Sequence, residues 1–139
     1  SYLMSTNITY DRIFKGLKLI LGKNTIIEDD LDKRTAEYVR LSTESSPELI
    51  ENTGATFAML YSINIDIVTN KAKRAKYLTQ SVSNLLHTLN SNTAYTSGGV
   101  YYWHDGRILT SEPGEALDEN GKQEYAWRIL WTTTHTEAK

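Results

Sequence analysis

The stretch Ala55–Thr69, ATFAMLYSINIDIVT, decides the fold. Phe57, Met59, Tyr61, Ile63, Ile65 and Ile67 recur at every second position, with Thr56, Ala58, Ser62, Asn64 and Asp66 between them and Leu60 and Val68 as apolar exceptions. Strand side chains point alternately to two faces, so the pattern predicts one long antiparallel strand with a greasy face and a wetter one.

Working outward toward the C-terminus, Thr69 or Asn70 caps a helix over Lys71–Leu89. Its stripe is Ala75, Leu78, Val82, Leu85, Leu86 and Leu89. Lys71, Lys73, Arg74 and Lys76 crowd the start of that helix, where the helix dipole favours acids, so either chance or something other than helix stability put them there. Ala94–Trp103 predicts a strand interrupted by Gly98-Gly99. His104-Asp105-Gly106-Arg107 follows as a hairpin turn and Ile108–Thr110 as the returning strand. Ser111–Lys122 lacks periodicity and is expected to be a polar loop turning at Pro113-Gly114 and Asn120-Gly121. Gln123–His135 alternates again, with Tyr125, Trp127, Ile129, Trp131 and Thr133 opposite Ala126, Arg128, Leu130 and Thr132.

Working back toward the N-terminus, Ser45–Gly54 is bounded by Pro47 and Gly54 and reads as a long hairpin loop. Ala36–Thr43 predicts a strand with Tyr38, Arg40 and Ser42 on one face and Val39 and Leu41 on the other. Residues 28–35, EDDLDKRT, are a charge run. Asn7–Leu21 carries Tyr10, Ile13, Phe14, Leu17, Ile20 and Leu21 at helical spacing, with Gly16 as a close-packing position and Gly22 as the stop. The expectation is a single α+β domain over residues 1–139. A mostly antiparallel sheet of four to five strands packs against two helices in the order α-β-β-α-β-(β)-β.

Composition narrows the function. The 15 basic and 17 acidic residues nearly cancel, which argues against bulk attraction to phosphate. With no cysteine there is no thiolate nucleophile, disulfide framework or Cys-ligated zinc site. No apolar run has the length of a membrane span, and the N-terminus lacks the order of a secretion signal, although Met4 is a candidate initiator. The chain is therefore expected to be made in a reducing cytosol, without a membrane segment.

Catalytic motifs are missing. His87, His104 and His135 stand at no metal-ligand spacing, and no GxSxG occurs. Ser97-Gly98-Gly99 does not lead from a strand into a helix, so it is no phosphate cradle. The acidic clusters Glu28, Asp29, Asp30, Asp32 and Glu112, Glu115, Asp118, Glu119 read as solvated loop charge rather than a carboxylate dyad or calcium loop. No catalytic residue, cofactor or metal is expected. A nucleic-acid-binding accessory protein is the alternative, using Lys71–Lys76 with Tyr101, Tyr102 and Trp103 as stacking surfaces. The element order is not that of an RRM, however, and the alternating aromatics read as core. A basic helix start and acidic loops on a nearly neutral subunit fit a head-to-tail ring. The basic patch of Lys71, Lys73, Arg74 and Lys76 would meet the acidic loops of a neighbour, with Asp29, Asp30, Glu115 and Asp118, and Glu48 is a further candidate interface residue.

The layout resembles the tail-terminator and tail-completion (head–tail joining, neck) proteins of tailed bacteriophages. The resemblance is carried by the N-terminal helix over Ile8–Leu21, YVRLS at Tyr38–Ser42 and FAMLYSINIDIVT at Phe57–Thr69. It continues in KAKRAKYLTQSVSNLLHTL at Lys71–Leu89 and in the closing EYAWRILWTTTH at Glu124–His135. It implies a structural virion protein, assembled in the host cytoplasm as a homohexameric ring at the head–tail junction. Such a ring ends tail-tube polymerisation, meets the tail tube protein and the head-completion or connector protein, and lets DNA pass its lumen without specific binding. It also implies that Arg40, Lys73, Arg74 and Arg128 face neighbours or the lumen, and that the loops over Ser45–Gly54 and Glu112–Lys122 make axial contacts. The hairpin over Tyr101–Thr110 is longer than the barest family pattern.

Overall fold

A computed structural model describes residues 14–18, 21–22, 24–27, 36–54, 56–89, 104–114 and 124–138 of the 139-residue chain. Helix α1 (residues 14–18, with residue 21) is followed by β1 (Thr25–Ile27), β2 (Tyr38–Thr43), β3 (Glu48–Asn52), β4 (Thr56–Thr69), α2 (Ala72–Leu89), β5 (His104–Gly114) and β6 (Tyr125–Ala138). The strands form one sheet in the order β1-β2-β4-β6-β5, with β3 joined to β4 beside β2. Every pairing is antiparallel except β1 with β2. The α+β class, with two helices and a mostly antiparallel sheet, is as the sequence predicts. Among the described residues the sheet has six strands where four to five are expected.

The spine is the full-length pairing of β4 with β6, from Thr56↔Ala138 to Thr69↔Tyr125. In that register Tyr61, Ile63, Ile65 and Ile67 share a face with Thr133, Trp131, Ile129 and Trp127. Val39 and Leu41 of β2 extend the same face. Phe14 and Leu17 of α1 and Val82 and Leu86 of α2 belong to the same core. The buried stripe of α2 matches the sequence pattern, with Ala75, Val82 and Leu86 inside and Leu78 and Leu85 half-buried. Gly16 is buried too, as a close-packing position in α1 requires. Gly22 ends α1 at φ +105°, a region open to glycine, and its N–H reaches the Lys18 carbonyl at 3.0 Å.

Three local expectations are corrected. Residues 48–52, assigned to a loop, form β3 and run antiparallel to the first part of β4. The alternation there is broken because Ile50 is a surplus residue between Leu49↔Met59 and Glu51↔Ala58. Asp105-Gly106 is not a hairpin turn: it lies inside β5, where Asp105 takes φ +53° and the register slips between His104 and Arg107. The same dipeptide that favours a tight turn here supplies the left-handed residue of a bulge. Ser111, Glu112, Pro113 and Gly114 accordingly continue β5 instead of opening a loop. The short β1 carries no sequence periodicity to announce it. The beginning of the first helix, the charge run 28–35, the strand 94–103 and the loop residues 115–122 lie outside the described residues.

Candidate functional site

The sheet face opposite the helices carries a transverse row of charge. Register neighbours Arg40 on β2, Asp66 on β4, Arg128 on β6 and Glu112 on β5 alternate in sign across four strands. Arg128 Nε donates to Asp66 Oδ1 at 2.6 Å, and an Arg128 terminal nitrogen donates to Oδ2 at 3.0 Å. This is a two-pronged guanidinium–carboxylate pair. Its hydrogen bond to Asp66, reinforced by the charges of Asp66, Glu44 and Glu112, raises the Arg128 pKa. Alongside, Asn64 Nδ2 donates to Glu44 Oε2 at 2.6 Å, and the Glu44 N–H reaches the Ser62 carbonyl at 3.0 Å.

Such cross-strand pairs fix which residues face which. Their sum is near neutral, so the row offers no phosphate-binding stripe. Since Arg128 is about half exposed, solvent screens the pair. Arg128→Ala is expected to lower stability by about 1 kcal/mol, read as a small drop in the urea midpoint.

A second charged group forms where β2 begins. Thr69 Oγ1 accepts the Lys71 N–H at 3.3 Å, and the Lys71 carbonyl accepts the Ala75 N–H at 3.1 Å, closing the first turn of α2. Glu37 accepts from Arg74 Nε at 3.0 Å and from the Thr69 hydroxyl at 3.2 Å. The Arg74 guanidinium also lies 5.2 Å from the centre of the Tyr77 ring. Glu37 therefore brings a carboxylate to a basic helix start, which offsets the unfavourable dipole. Its pKa falls below the ordinary 4.5, chiefly through the Arg74 hydrogen bond.

A lowered acid pKa means stability that is complete above the ordinary value and lost as pH falls through the folded one. Glu37→Gln is therefore expected to lower stability modestly in the neutral region and to leave it nearly unchanged well below pH 4.5, so that the acid limb is flatter, as followed by thermal midpoint against pH.

Arg40 and Arg128 thus share one face, bridged in register by Asp66. Lys71, Lys73, Arg74 and Lys76 gather separately at the start of α2, all exposed, with Arg74 engaged by Glu37. Glu48 is exposed on β3. Asp29, Asp30, Glu115 and Asp118 lie outside the described residues. Sequence reasoning missed Glu37, Glu44 and Asp66 as partners. Asn64 and Asp66 were visible as polar steps in an apolar run, but only the register says what they meet.

Trp131 is buried and Trp127 packs against the core, its indole N–H donating to Ser111 Oγ at 2.7 Å, so neither is presented as a free stacking surface. Among the described residues no group of three or more histidines and carboxylates could hold a metal ion, and no helix is long and apolar enough to cross a membrane.

No protein-family model and no curated protein matches the sequence. Among solved structures the chain is similar to one from the "Virion of native gene transfer agent (GTA) particle". The TM-score is 0.47 and the identity 12%, over 93% of this chain and 92% of that one. A likeness this distant decides neither fold nor function.

Proposed function

We propose that the chain is a non-catalytic structural virion protein. It assembles head-to-tail into a homohexameric ring at the head-proximal end of a phage tail, where it terminates the tail tube and joins it to the head connector. One observation carries this reading: acidic and basic side chains are segregated onto separate surfaces. The start of α2 is basic, β3 is exposed and acidic, and the open sheet face is balanced. Unlike patches on different sides of one subunit favour a heterologous contact, which closes into a ring when the rotation allows. The order of long strand, basic amphipathic helix and closing aromatic strand, which carries the resemblance to tail terminators, supports the particular assignment.

Electron microscopy of the purified protein, with light scattering across concentration and salt, tests it. Annular particles of one size are expected; monomer under every condition would overturn the reading.

The exposed Lys73, Lys76 and Tyr77 on one helix face favour a second reading, in which α2 binds single-stranded nucleic acid. Filter binding separates the two. Phosphate contacts would give a retention that falls steeply with salt, and ring formation predicts no retention at moderate salt.

A further inference from the structure

Next to the row of Arg40, Asp66, Arg128 and Glu112, the register sets two more rows across the same four strands. One holds Ser42, Asn64, Leu130 and Thr110. The other holds Ser62, Thr132 and Arg107, with Glu44 at its β2 end, where the Glu44 N–H meets the Ser62 carbonyl. Glu44 Oε2 accepts from Asn64 Nδ2, which puts the carboxylate on this face. Glu44, Arg107, Glu112 and Arg128 are exposed, and Arg40 and Asp66 are half-buried.

The signs are antisymmetric about the line that runs between β4 and β6. Arg40 on β2 balances Glu112 on β5, Asp66 on β4 balances Arg128 on β6, and Glu44 balances Arg107. A half-turn about an axis along that line lays the face on a second copy, with β2 over β5 and β4 over β6. Every charge in these rows then stands opposite one of the other sign. A half-turn about the row instead lays Arg40 on Arg40 and Asp66 on Asp66, so charge selects the first axis.

We propose that this sheet face binds a second copy of the chain as a two-fold pair, with Arg40 against Glu112, Asp66 against Arg128 and Glu44 against Arg107. Strands of the two copies stay aligned under this axis, the common way for two sheets to pack. Ser42 falls opposite Thr110 and Ser62 opposite Thr132, short side chains that allow the usual sheet separation of about 10 Å. From Leu60 to Asp66 along β4, and from β2 to β5 across, the face gives roughly 500 Å² from each copy, the low end for a specific contact. The pair does not depend on the ring reading. A ring whose copies also pair in this way becomes two rings stacked face to face.

Arg107 is exposed on β5, so its reversal leaves the fold intact and tests the contact. Arg107→Glu is expected to weaken pairing by about tenfold or more in sedimentation equilibrium, because the two-fold axis repeats the like-charge contact with Glu44. Adding Glu44→Lys restores it. Since Glu44→Lys removes the acceptor of Asn64, the thermal midpoint checks that the double variant is folded, and cross-linking decides where it is not.

The chain has no cysteine, so single cysteines report the geometry without a charge change. Ser42→Cys protein mixed with Thr110→Cys protein, treated with a bismaleimide reaching about 10 Å, is expected to give the unlike cross-link in excess over either like pair. Unchanged association of Arg107→Glu, a folded double variant that stays weak, like pairs in equal or greater yield, or single unstacked rings each overturn the two-fold pair and leave the ring reading standing. Two-fold dimers that never form rings overturn the ring reading alone. Wild-type protein that stays monomeric overturns both.

Discussion

Exchanging two adjacent residues, as Ile65→Asp with Asp66→Ile, is expected to abolish folding although composition is unchanged. Ile65 has no exposed surface and lies among Ile63, Ile67, Leu41 and Ile129. A carboxylate placed there has no partner in its layer of the core, and burying an unpaired charge exceeds the usual range of single-site effects. The second half of the exchange leaves Arg128 without its two-pronged acceptor. Together the changes cost on the order of 5 kcal/mol or more, comparable to the whole stability of a small domain. Far-UV circular dichroism and urea titration should show no cooperative transition. A transition near the wild-type midpoint would mean that the even-numbered residues of β4, not the odd ones, face the helices.

Trp131→Ala is expected to have the next largest effect, about 3–5 kcal/mol. The indole is 1% exposed and sits opposite Ile63 on β4 and Ile108 on β5. It is therefore the widest side chain shared by three strands. Truncation leaves a cavity that strands fixed by ladder hydrogen bonds close only in part. Trp127→Ala should cost clearly less, because Trp127 is only half-buried at the margin of the same cluster. Urea midpoints of the two variants compare them directly, and equal losses would contradict the burial difference.

How far the sequence spoke depended on length and regularity. β4, β6 and α2 were legible because each runs long enough for its period to show, and Tyr61, Ile67, Val82, Leu86 and Ile129 are buried where the patterns put them. β1 has three residues, too few for any period. β3 was hidden by its own bulge: Leu49 and Ile50 stand side by side, which no alternating pattern contains, and Pro47 with Gly54 gave the whole segment the look of a turn. The Asp105-Gly106 dipeptide signals a tight turn, yet Asp105 takes its positive φ inside β5. A left-handed residue serves a bulge as well as a hairpin, and only the partner strand decides between them.

The candidate surfaces divide in the same way. Lys73 and Lys76 needed nothing beyond helical spacing, so they could be named in advance. The row of Arg40, Asp66, Arg128 and Glu112 joins residues far apart in the chain, and only the strand register brings them side by side. Glu37 is the sharper case. It is one of many acids in the chain, and its hold on Arg74 and Thr69 follows from where β2 meets the first turn of α2. That contact offsets part of the basic charge at an N-terminus that ordinarily prefers the opposite sign.

Ile50 and Leu109 each stand as a surplus residue in a strand at the rim of the described sheet. Amides on either side of them fall out of step with any straight strand laid alongside. Laying rim upon rim into an endless cross-β ribbon therefore fails after a few residues. Any contact between copies would have to rest on matched side chains instead of strand addition, which is the difference between a body of fixed size and a fibre.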